Sequence, residues 1–271
     1  MKLAQIQWVG FDMDYTLAIY RQREMDRLSV ESILRKLIDR GYPEWLREIE
    51  YPLDFPIRGI LIDKKLGNIL KMNRFKVVRR GYHGLTELSP EELQEHYYTR
   101  KLRPHSDRYH WIDTLYGLSE ACAYACLVEA YEKRAVKLDY HEVFDSIREC
   151  IDEAHRDGSI LDSVASDLDR YVERDPALAV TLHKLRSAGK RLFVLTNSHK
   201  EYTESMLSYL LDGALQDYPS YQHYFDAIVV AAKKPSFFQA ADPLLAYQGD
   251  ELVPATGPLE RGVIYRGGNI V

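Results

Sequence analysis

Two aspartates, Asp12 and Asp14, directly follow the apolar run Ile6 to Phe11. This run predicts a strand that is buried on both faces of a parallel sheet, and open sheets bind ligands just past the carboxyl ends of such strands. A carboxylate there can attack phosphorus, and a second one two positions on can protonate the leaving oxygen and then activate water. We therefore predict Asp12 as a nucleophile and Asp14 as the general acid and base. An isolated Asp-x-Asp is common in acidic proteins, so the prediction depends on this location.

Two further polar groups follow predicted strands in the same way. Thr196, Asn197 and Ser198 come after the apolar run 191–195, and their hydroxyl and amide groups, with a helix N-terminus, can surround a phosphate. Ser198 is equally typical of a helix N-cap, and the sequence leaves both interpretations open. Lys234 follows the predicted strand 225–230 and can neutralise both a phosphate and Asp12. The ordered set of groups predicts one phosphate site at the sheet edge.

The elements that must position these groups are predicted from local signals. Asp175, Pro176 and Gly189 are typical of the N-cap, first residue and C-terminal stop of a helix, which the predicted strand 191–195 follows. Another helix is predicted over 200–211. Helices that alternate with buried strands indicate an α/β fold with an open parallel sheet.

The segment between the first strand and Asp175 is too long for a simple crossover and must contain added structure. Residues 50–85 predict a β-hairpin with its turn at Gly67 and Asn68. Residues 90–172 are predicted to be helical, beginning with a serine cap at Ser89. Loops and a hairpin are expected over 242–268. A helical insert at this place suits a domain that covers a substrate.

Composition excludes several classes of protein. The chain has 271 residues, 46% hydrophobic and 28% charged, which is typical of a globular protein, and its net charge of −5 gives no general attraction for nucleic acid. No apolar run approaches the roughly 20 residues that span a bilayer, and no signal peptide is predicted, so we expect a cytoplasmic protein without a membrane partner. Cys122, Cys126 and Cys150 lack metal-site spacing and are expected to be buried thiols.

The segments DMDYTLA, LTNS and KKPSFF resemble motifs I, II and III of the haloacid dehalogenase (HAD) superfamily. The sequences of these motifs are similar to those of the cytosolic purine 5′-nucleotidases. The likeness extends to RGILIDKKLGNILKMNRF, YHGLTEL, DTLYGLSEACAYACLVEAY, DAIVVAAKKPSFF and TGPLERGVIYRGGN. This resemblance implies a Rossmann-like HAD core over 1–85 and 173–271, a β-hairpin insert near 55–80, and a mainly helical cap over 86–172. It also implies Mg²⁺ dependence, a phosphoaspartyl intermediate, nucleoside 5′-monophosphates as substrates, and frequent homo-oligomers.

The resemblance also implies roles for individual residues. Asp12 matches the nucleophile and a metal ligand, and Asp14 matches the acid and base whose carbonyl also binds Mg²⁺. Thr196, Asn197 and Lys234 match the residues that bind phosphate.

A second group of matching residues lies in the expected cap. Arg148, Asp152 and His155 match residues of the base pocket, and Tyr116 stands where an aromatic ring stacks on the base. Arg148 and Asp152 are also four residues apart on a predicted helix, so a simple ion pair is an alternative interpretation.

Three departures from the family pattern bear on substrate and activity. Gly117 stands where the purine enzymes have an asparagine that contacts the base, and Leu161 stands where they have a lysine. Loss of such side chains is expected to change base selection. In the family a later segment, motif IV, carries aspartates that complete the Mg²⁺ site, and this sequence ends before it. The ordered motifs and the long family match make a 5′-nucleotidase the leading hypothesis. The departures leave two alternatives, a phosphatase for another small phosphomonoester and a catalytically impaired pseudoenzyme.

Overall fold

The computed structural model describes residues 3–98, 102–104 and 106–270. The chain divides into two compact units, the first containing 1–21 with 163–271 and the second containing 22–162. These bounds differ from those predicted for core and cap, because residues 22–85 group with the helical segment.

Strands, α-helices and short helical turns alternate along the described residues. The strands are β1 Trp8–Phe11, β2 Ile19–Tyr20, β3 Ile60–Asp63, β4 Asn68–Met72, β5 Val78–His83, β6 Thr86–Glu87, β7 Tyr109–Ile112, β8 Val172–Glu173, β9 Arg191–Leu195, β10 Ala227–Val230, β11 Leu244–Gln248, β12 Glu251–Pro254 and β13 Ile264–Gly267. The helices are α1 Gln22–Asp39, α2 Pro90–Leu93, α3 Gly117–Lys133, α4 Tyr140–Arg156, α5 Ser159–Ser166, α6 Leu168–Tyr171, α7 Pro176–Ser187 and α8 Lys200–Leu211. Shorter 3₁₀ turns cover Leu3–Gln5, Glu44–Glu48, Tyr221–His223 and Ser236–Phe238, and a π-helical turn covers Gln94–Tyr98.

The first unit is built on a six-stranded sheet in the order β1-β9-β10-β13-β11-β12. Strands β1, β9, β10 and β13 run parallel, and the hairpin β11–β12 is added antiparallel to β13. Parallel neighbours bring the carboxyl ends of β1, β9 and β10 to one edge, as an α/β fold with a Rossmann-like sheet requires. The predicted α/β class is confirmed. The hairpin expected within 242–268 is present, whereas β13 was not predicted.

Strand β1 corrects one prediction. The sequence predicts burial on both faces, but the residues of β1 alternate between exposed and half-buried, and Trp8 is 38% exposed. The reason is its place in the sheet, because β1 pairs only with β9 among the described strands. Gly10 is required within β1, since a Cβ atom there would lie 2.2 Å from the Phe193 ring.

The helices that support this sheet follow the predicted signals. Helix α7 begins at Pro176, the Asp175 carboxylate accepts a hydrogen bond from the amide of Ala177, and Gly189 has a φ of +75° just beyond the helix. Helix α8 has the predicted bounds, but His199 rather than Ser198 occupies its N-cap position. The Ser198 side chain is thereby available for another role.

The second unit contains a five-stranded antiparallel sheet in the order β6-β5-β4-β3-β7. The predicted hairpin is β3–β4, but its turn ends at Gly67, and Asn68, which was predicted in the turn, begins β4 and pairs with Asp63. Ser89 caps α2 as predicted, in a reciprocal capping box with Glu92. Strand β7 lies in the segment predicted to be helical, and its pairing with β3 explains the error. Helices α3 and α4 bury one another's apolar faces beside α1.

A buried polar network joins Asp63 in β3 of this sheet to two residues between β6 and β7, Tyr97 and Arg108. Asp63 is fully buried, and Arg108 donates two hydrogen bonds to its carboxylate at 2.5 and 2.8 Å. The Tyr97 hydroxyl donates a third at 2.9 Å, so the charge of Asp63 is fully partnered. The three cysteines are buried as predicted. Within the described residues, no helix is long and apolar enough to cross a membrane.

Candidate active site

Asp12 is the first residue past β1, and its carboxylate meets a cation there. Its Oδ1 atom lies 2.7 Å from Lys234 Nζ and accepts a hydrogen bond from the Met13 amide at 2.8 Å. The Asp12 side chain is 46% exposed, so the carboxylate is both neutralised and accessible. An accessible carboxylate beside a fixed cation has the properties that a nucleophile for an anionic phosphate needs.

Lys234 reaches Asp12 from the segment that follows β10. Its ammonium group also donates a hydrogen bond to the Leu195 carbonyl at 2.7 Å, and its side chain is only 19% exposed. Lys234 is therefore held between the ends of two neighbouring strands, as predicted from the order of the motifs.

The three polar residues after β9 have different environments. Thr196 is fully buried, and its hydroxyl oxygen accepts a hydrogen bond from the Ser198 amide at 3.0 Å. Asn197 is exposed, and its side-chain amide bonds to the main chain of Lys234. The Ser198 hydroxyl donates to Asp14 Oδ2 at 2.7 Å. The residues predicted to bind phosphate, Thr196, Asn197 and Lys234, thus all lie at the sheet edge that holds Asp12.

Asp14 occupies a less exposed position than Asp12. Its second carboxylate oxygen, Oδ1, accepts a hydrogen bond from the Tyr20 hydroxyl at 2.5 Å, and the Tyr20 and Tyr202 hydroxyls lie 2.8 Å apart. Burial raises the pKa of Asp14, against the opposing hydrogen bonds from Tyr20 and Ser198. A raised pKa favours the protonated carboxyl, which is the form that a general acid requires.

The donor atoms of this group can be compared with the ligands that Mg²⁺ requires. Magnesium binds near-octahedrally, usually through one or two carboxylates together with water and substrate phosphate. Asp12 Oδ2 has no partner among the described hydrogen bonds and ion pairs, whereas both carboxylate oxygens of Asp14 are hydrogen-bonded. The residues therefore fit a largely hydrated ion held by Asp12 Oδ2 and the Asp14 carbonyl. In the part of the chain that the structure describes, no group of three His, Cys, Asp or Glu side chains is arranged to hold a metal.

A second polar group lies in the second unit, on α3 and α4. Arg148 Nη1 donates to both carboxylate oxygens of Glu120 at 2.9 Å, and Arg148 Nη2 lies 3.8 Å from Asp152. The Glu120 side chain is 5% exposed, and burial raises its pKa against the opposing effect of Arg148. Arg148 and Asp152 do pair along the helix, but the stronger contact of Arg148 is with Glu120.

Tyr116 and His155 complete this second group. Their ring centroids are 6.4 Å apart with the planes at 80°, an edge-to-face arrangement. The Tyr116 ring is 46% exposed at the start of α3, and the Asp152 side chain is 54% exposed. An exposed aromatic ring beside polar side chains has the composition of a site for a nucleobase.

Three residues that contribute to these groups, Tyr20, Tyr202 and Glu120, are not predicted from the sequence. Tyr20 and Tyr202 are 182 positions apart, and only the fold brings their hydroxyls together beside Asp14. Glu120 had one available signal, because a charged residue within the apolar stretch of α3 requires a partner.

Comparisons with known proteins identify the family of this chain. The 5′ nucleotidase family model matches residues 1–271. A 5′-nucleotidase domain-containing protein of Dictyostelium discoideum is 31% identical over 256 residues, covering 92% of this chain and 43% of the relative. The human 5′-nucleotidase domain-containing protein 2 is 28% identical over 293 residues, covering 100% of this chain and 54% of the relative. The chain spans about half the length of these relatives. It belongs to the 5′ nucleotidase family.

Proposed function

We propose that this protein is a phosphomonoester hydrolase of the HAD type that removes phosphate from nucleoside 5′-monophosphates. The observation that carries the proposal is the 2.7 Å contact between Asp12 and Lys234, beside a half-buried Asp14 whose pKa is raised. Two carboxylates in such different environments suit different roles in one reaction. Family membership and the names of the relatives support the choice of a 5′-nucleotidase.

In the first step, the Asp12 carboxylate attacks phosphorus while the bond from phosphorus to the ester oxygen breaks. Asp14 gives its proton to the departing oxygen, so the nucleoside leaves as a neutral alcohol and Asp12 carries an acyl phosphate. Lys234 offsets the repulsion between the Asp12 carboxylate and the phosphate, both of which are negatively charged.

In the second step, Asp14 takes a proton from water as the water oxygen attacks the same phosphorus. The bond from phosphorus to Asp12 breaks, inorganic phosphate leaves, and both aspartates return to their starting states. Tyr20 and Ser198 hold the Asp14 carboxyl in one orientation through both steps. We propose Mg²⁺ as the cofactor; bound through Asp12 and the Asp14 carbonyl, it supplies further neutralisation of the phosphate.

In the second unit, we propose Tyr116, Arg148, Asp152 and His155 as residues that recognise a nucleoside. Arg148 is already neutralised by Glu120, which favours contacts with neutral base edges over a second phosphate. Gly117 supplies no side chain to a ligand, and this observation favours a second candidate, the hydrolysis of another small phosphomonoester. Lower selectivity between bases follows from the loss of a hydrogen-bonding group.

The test is phosphate release from a panel of nucleoside monophosphates and sugar phosphates with Mg²⁺ present. Activity that is lost in Asp12→Asn and retained in Asp217→Asn, an exposed carboxylate of the same unit, supports the proposal. Faster release from sugar phosphates than from nucleotides selects the second candidate. If no phosphomonoester is hydrolysed and calorimetry detects no Mg²⁺ binding, the chain is a pseudoenzyme and the proposal is wrong.

A further inference from the structure

The side chain of Asn197 bonds twice to a single residue on the neighbouring segment. Its Nδ2 donates to the Lys234 carbonyl at 3.0 Å, and its Oδ1 accepts from the Lys234 amide at 2.6 Å. A primary amide has one acceptor oxygen and two donor hydrogens, so this pairing uses the oxygen and one of the hydrogens. The two residues are 37 positions apart, and the contact therefore fixes one strand end against another.

The segment that carries Lys234 needs such a restraint. Between β10 and Lys234 two non-glycine residues have positive φ, Ala231 at 45° and Lys233 at 57°. Residues held in the left-handed region persist only where the surroundings fix them. Main-chain bonds from Ala231 to Ser198 and from Ala232 to Thr196 hold the first part of this segment, and the Asn197 side chain holds its end.

From this geometry we propose that Asn197 is a positioning residue, which seats Lys234 so that its ammonium group meets Asp12 and the Leu195 carbonyl. Its side chain acts on the reaction through Lys234 rather than through the phosphate. The effect of Asn197 on catalysis rests on the proposed function. Its effect on the position of Lys234, which is the seating of Lys234, does not.

The seating is measured by brief acetylation of the amines and mass spectrometry, without any need for turnover. The Lys234 side chain is 19% exposed and that of Lys233 is 72% exposed, so the labelling ratio of these neighbours reports the position of Lys234. Loss of both hydrogen bonds in Asn197→Ala is expected to raise the ratio of Lys234 to Lys233 about tenfold. An unchanged ratio overturns the proposal.

Two controls separate seating from general loss of structure. Asn73→Ala also removes two hydrogen bonds of an asparagine side chain, those that Asn73 Oδ1 accepts from main-chain amides in the second unit. In this variant the labelling ratio of Lys234 to Lys233 should not change. Lys190, which donates to the Ile6 carbonyl, serves as the reference for folding of the first unit. If Lys190 becomes fully reactive in Asn197→Ala, that variant has lost its fold, and Asn197→Asp, which retains the acceptor oxygen, is measured in its place. A labelling ratio of Lys234 to Lys233 in Asn197→Asp equal to that of the wild type then overturns the proposal.

Steady-state kinetics distinguish an effect of Asn197 through Lys234 from a direct contact between Asn197 and the phosphate. If Asn197 acts through Lys234, Asn197→Ala lowers kcat about tenfold with KM nearly constant, and adds little to the defect of Lys234→Ala. A raised KM with unchanged kcat, or additive defects, would indicate a phosphate contact instead. Absence of turnover in the wild type counts against the proposed function alone, because the labelling ratio still decides the seating.

Discussion

Replacing Asp26 with asparagine should stabilise the protein at neutral pH and leave its stability near pH 4 almost unchanged. Asp26 lies on α1 with only 6% of its surface exposed, and the Gln22 side-chain amide donates to its carboxylate at 2.8 Å. Within the described residues it has no ion-pair partner, and Asp54 adds a second negative charge nearby. Burial, as the main cause, raises the pKa of Asp26 from 3.8 to about 6.

The sign follows from proton binding. Between pH about 4 and pH about 6, the unfolded chain has lost the proton of Asp26 and the folded protein keeps it. Unfolding then releases a proton, so the free energy of unfolding falls as the pH rises through this window. The difference between 3.8 and about 6 corresponds to about 3 kcal/mol, lost in full above pH about 6. Asparagine resembles the protonated carboxyl and removes this cost.

The assay is urea unfolding of the wild type and Asp26→Asn, followed by circular dichroism across the range from pH about 4 to about 8. The variant should gain up to about 3 kcal/mol at the upper end and close to nothing at the lower end. Asp39→Asn, an exposed substitution on the same helix, should change stability by less than about 0.5 kcal/mol throughout. A gain for Asp26→Asn that does not grow with pH would refute the reasoning.

Three other changes have expected outcomes. Tyr20→Phe removes the hydrogen bond to Asp14, and kcat should fall at least about tenfold with KM little changed in steady-state phosphate release; equal kcat would show that this contact is dispensable. Asp63→Asn leaves the Arg108 guanidinium without its carboxylate, and urea unfolding should show a loss of about 3 kcal/mol, whereas a loss below about 1 would contradict the pairing argument. Chelation of Mg²⁺ should abolish phosphate release and added Mg²⁺ should restore it, and activity that survives chelation would exclude the proposed cofactor.

The accuracy of the sequence predictions depends on whether a signal was local. Helix α7 was predicted from its cap, proline and terminal glycine, all of which act within one helical turn. Strand β13 has only four residues, the last of which is Gly267, and its burial comes from pairing with β10, which no local pattern encodes. Strand β7 likewise exists through pairing with β3, some 50 residues earlier.

The same distinction applies to the candidate site. Asp12 and Lys234 were predictable because each follows its own strand, and parallel strands bring their carboxyl ends together. Tyr20 was not, since its hydroxyl reaches Asp14 through a short strand pairing between β2 and β8 that the sequence does not indicate. Helical spacing gave an ion pair between Arg148 and Asp152 as an alternative interpretation, and that pair is present. The closer contact of Arg148, with Glu120 on a neighbouring helix, was not predicted.

The environments of Asp12 and Asp14 explain how identical side chains two positions apart can divide the proposed reaction between them. Asp12 is 46% exposed and its charge is met by Lys234, so the anion is retained where a phosphate can reach it. Asp14 is only partly exposed, and burial raises its pKa even though Tyr20 and Ser198 both donate hydrogen bonds to it. Had both carboxylates been equally exposed, neither would be favoured as the proton donor. The division of roles is therefore a property of what surrounds the motif, chiefly Lys234 on one side and Tyr20 on the other.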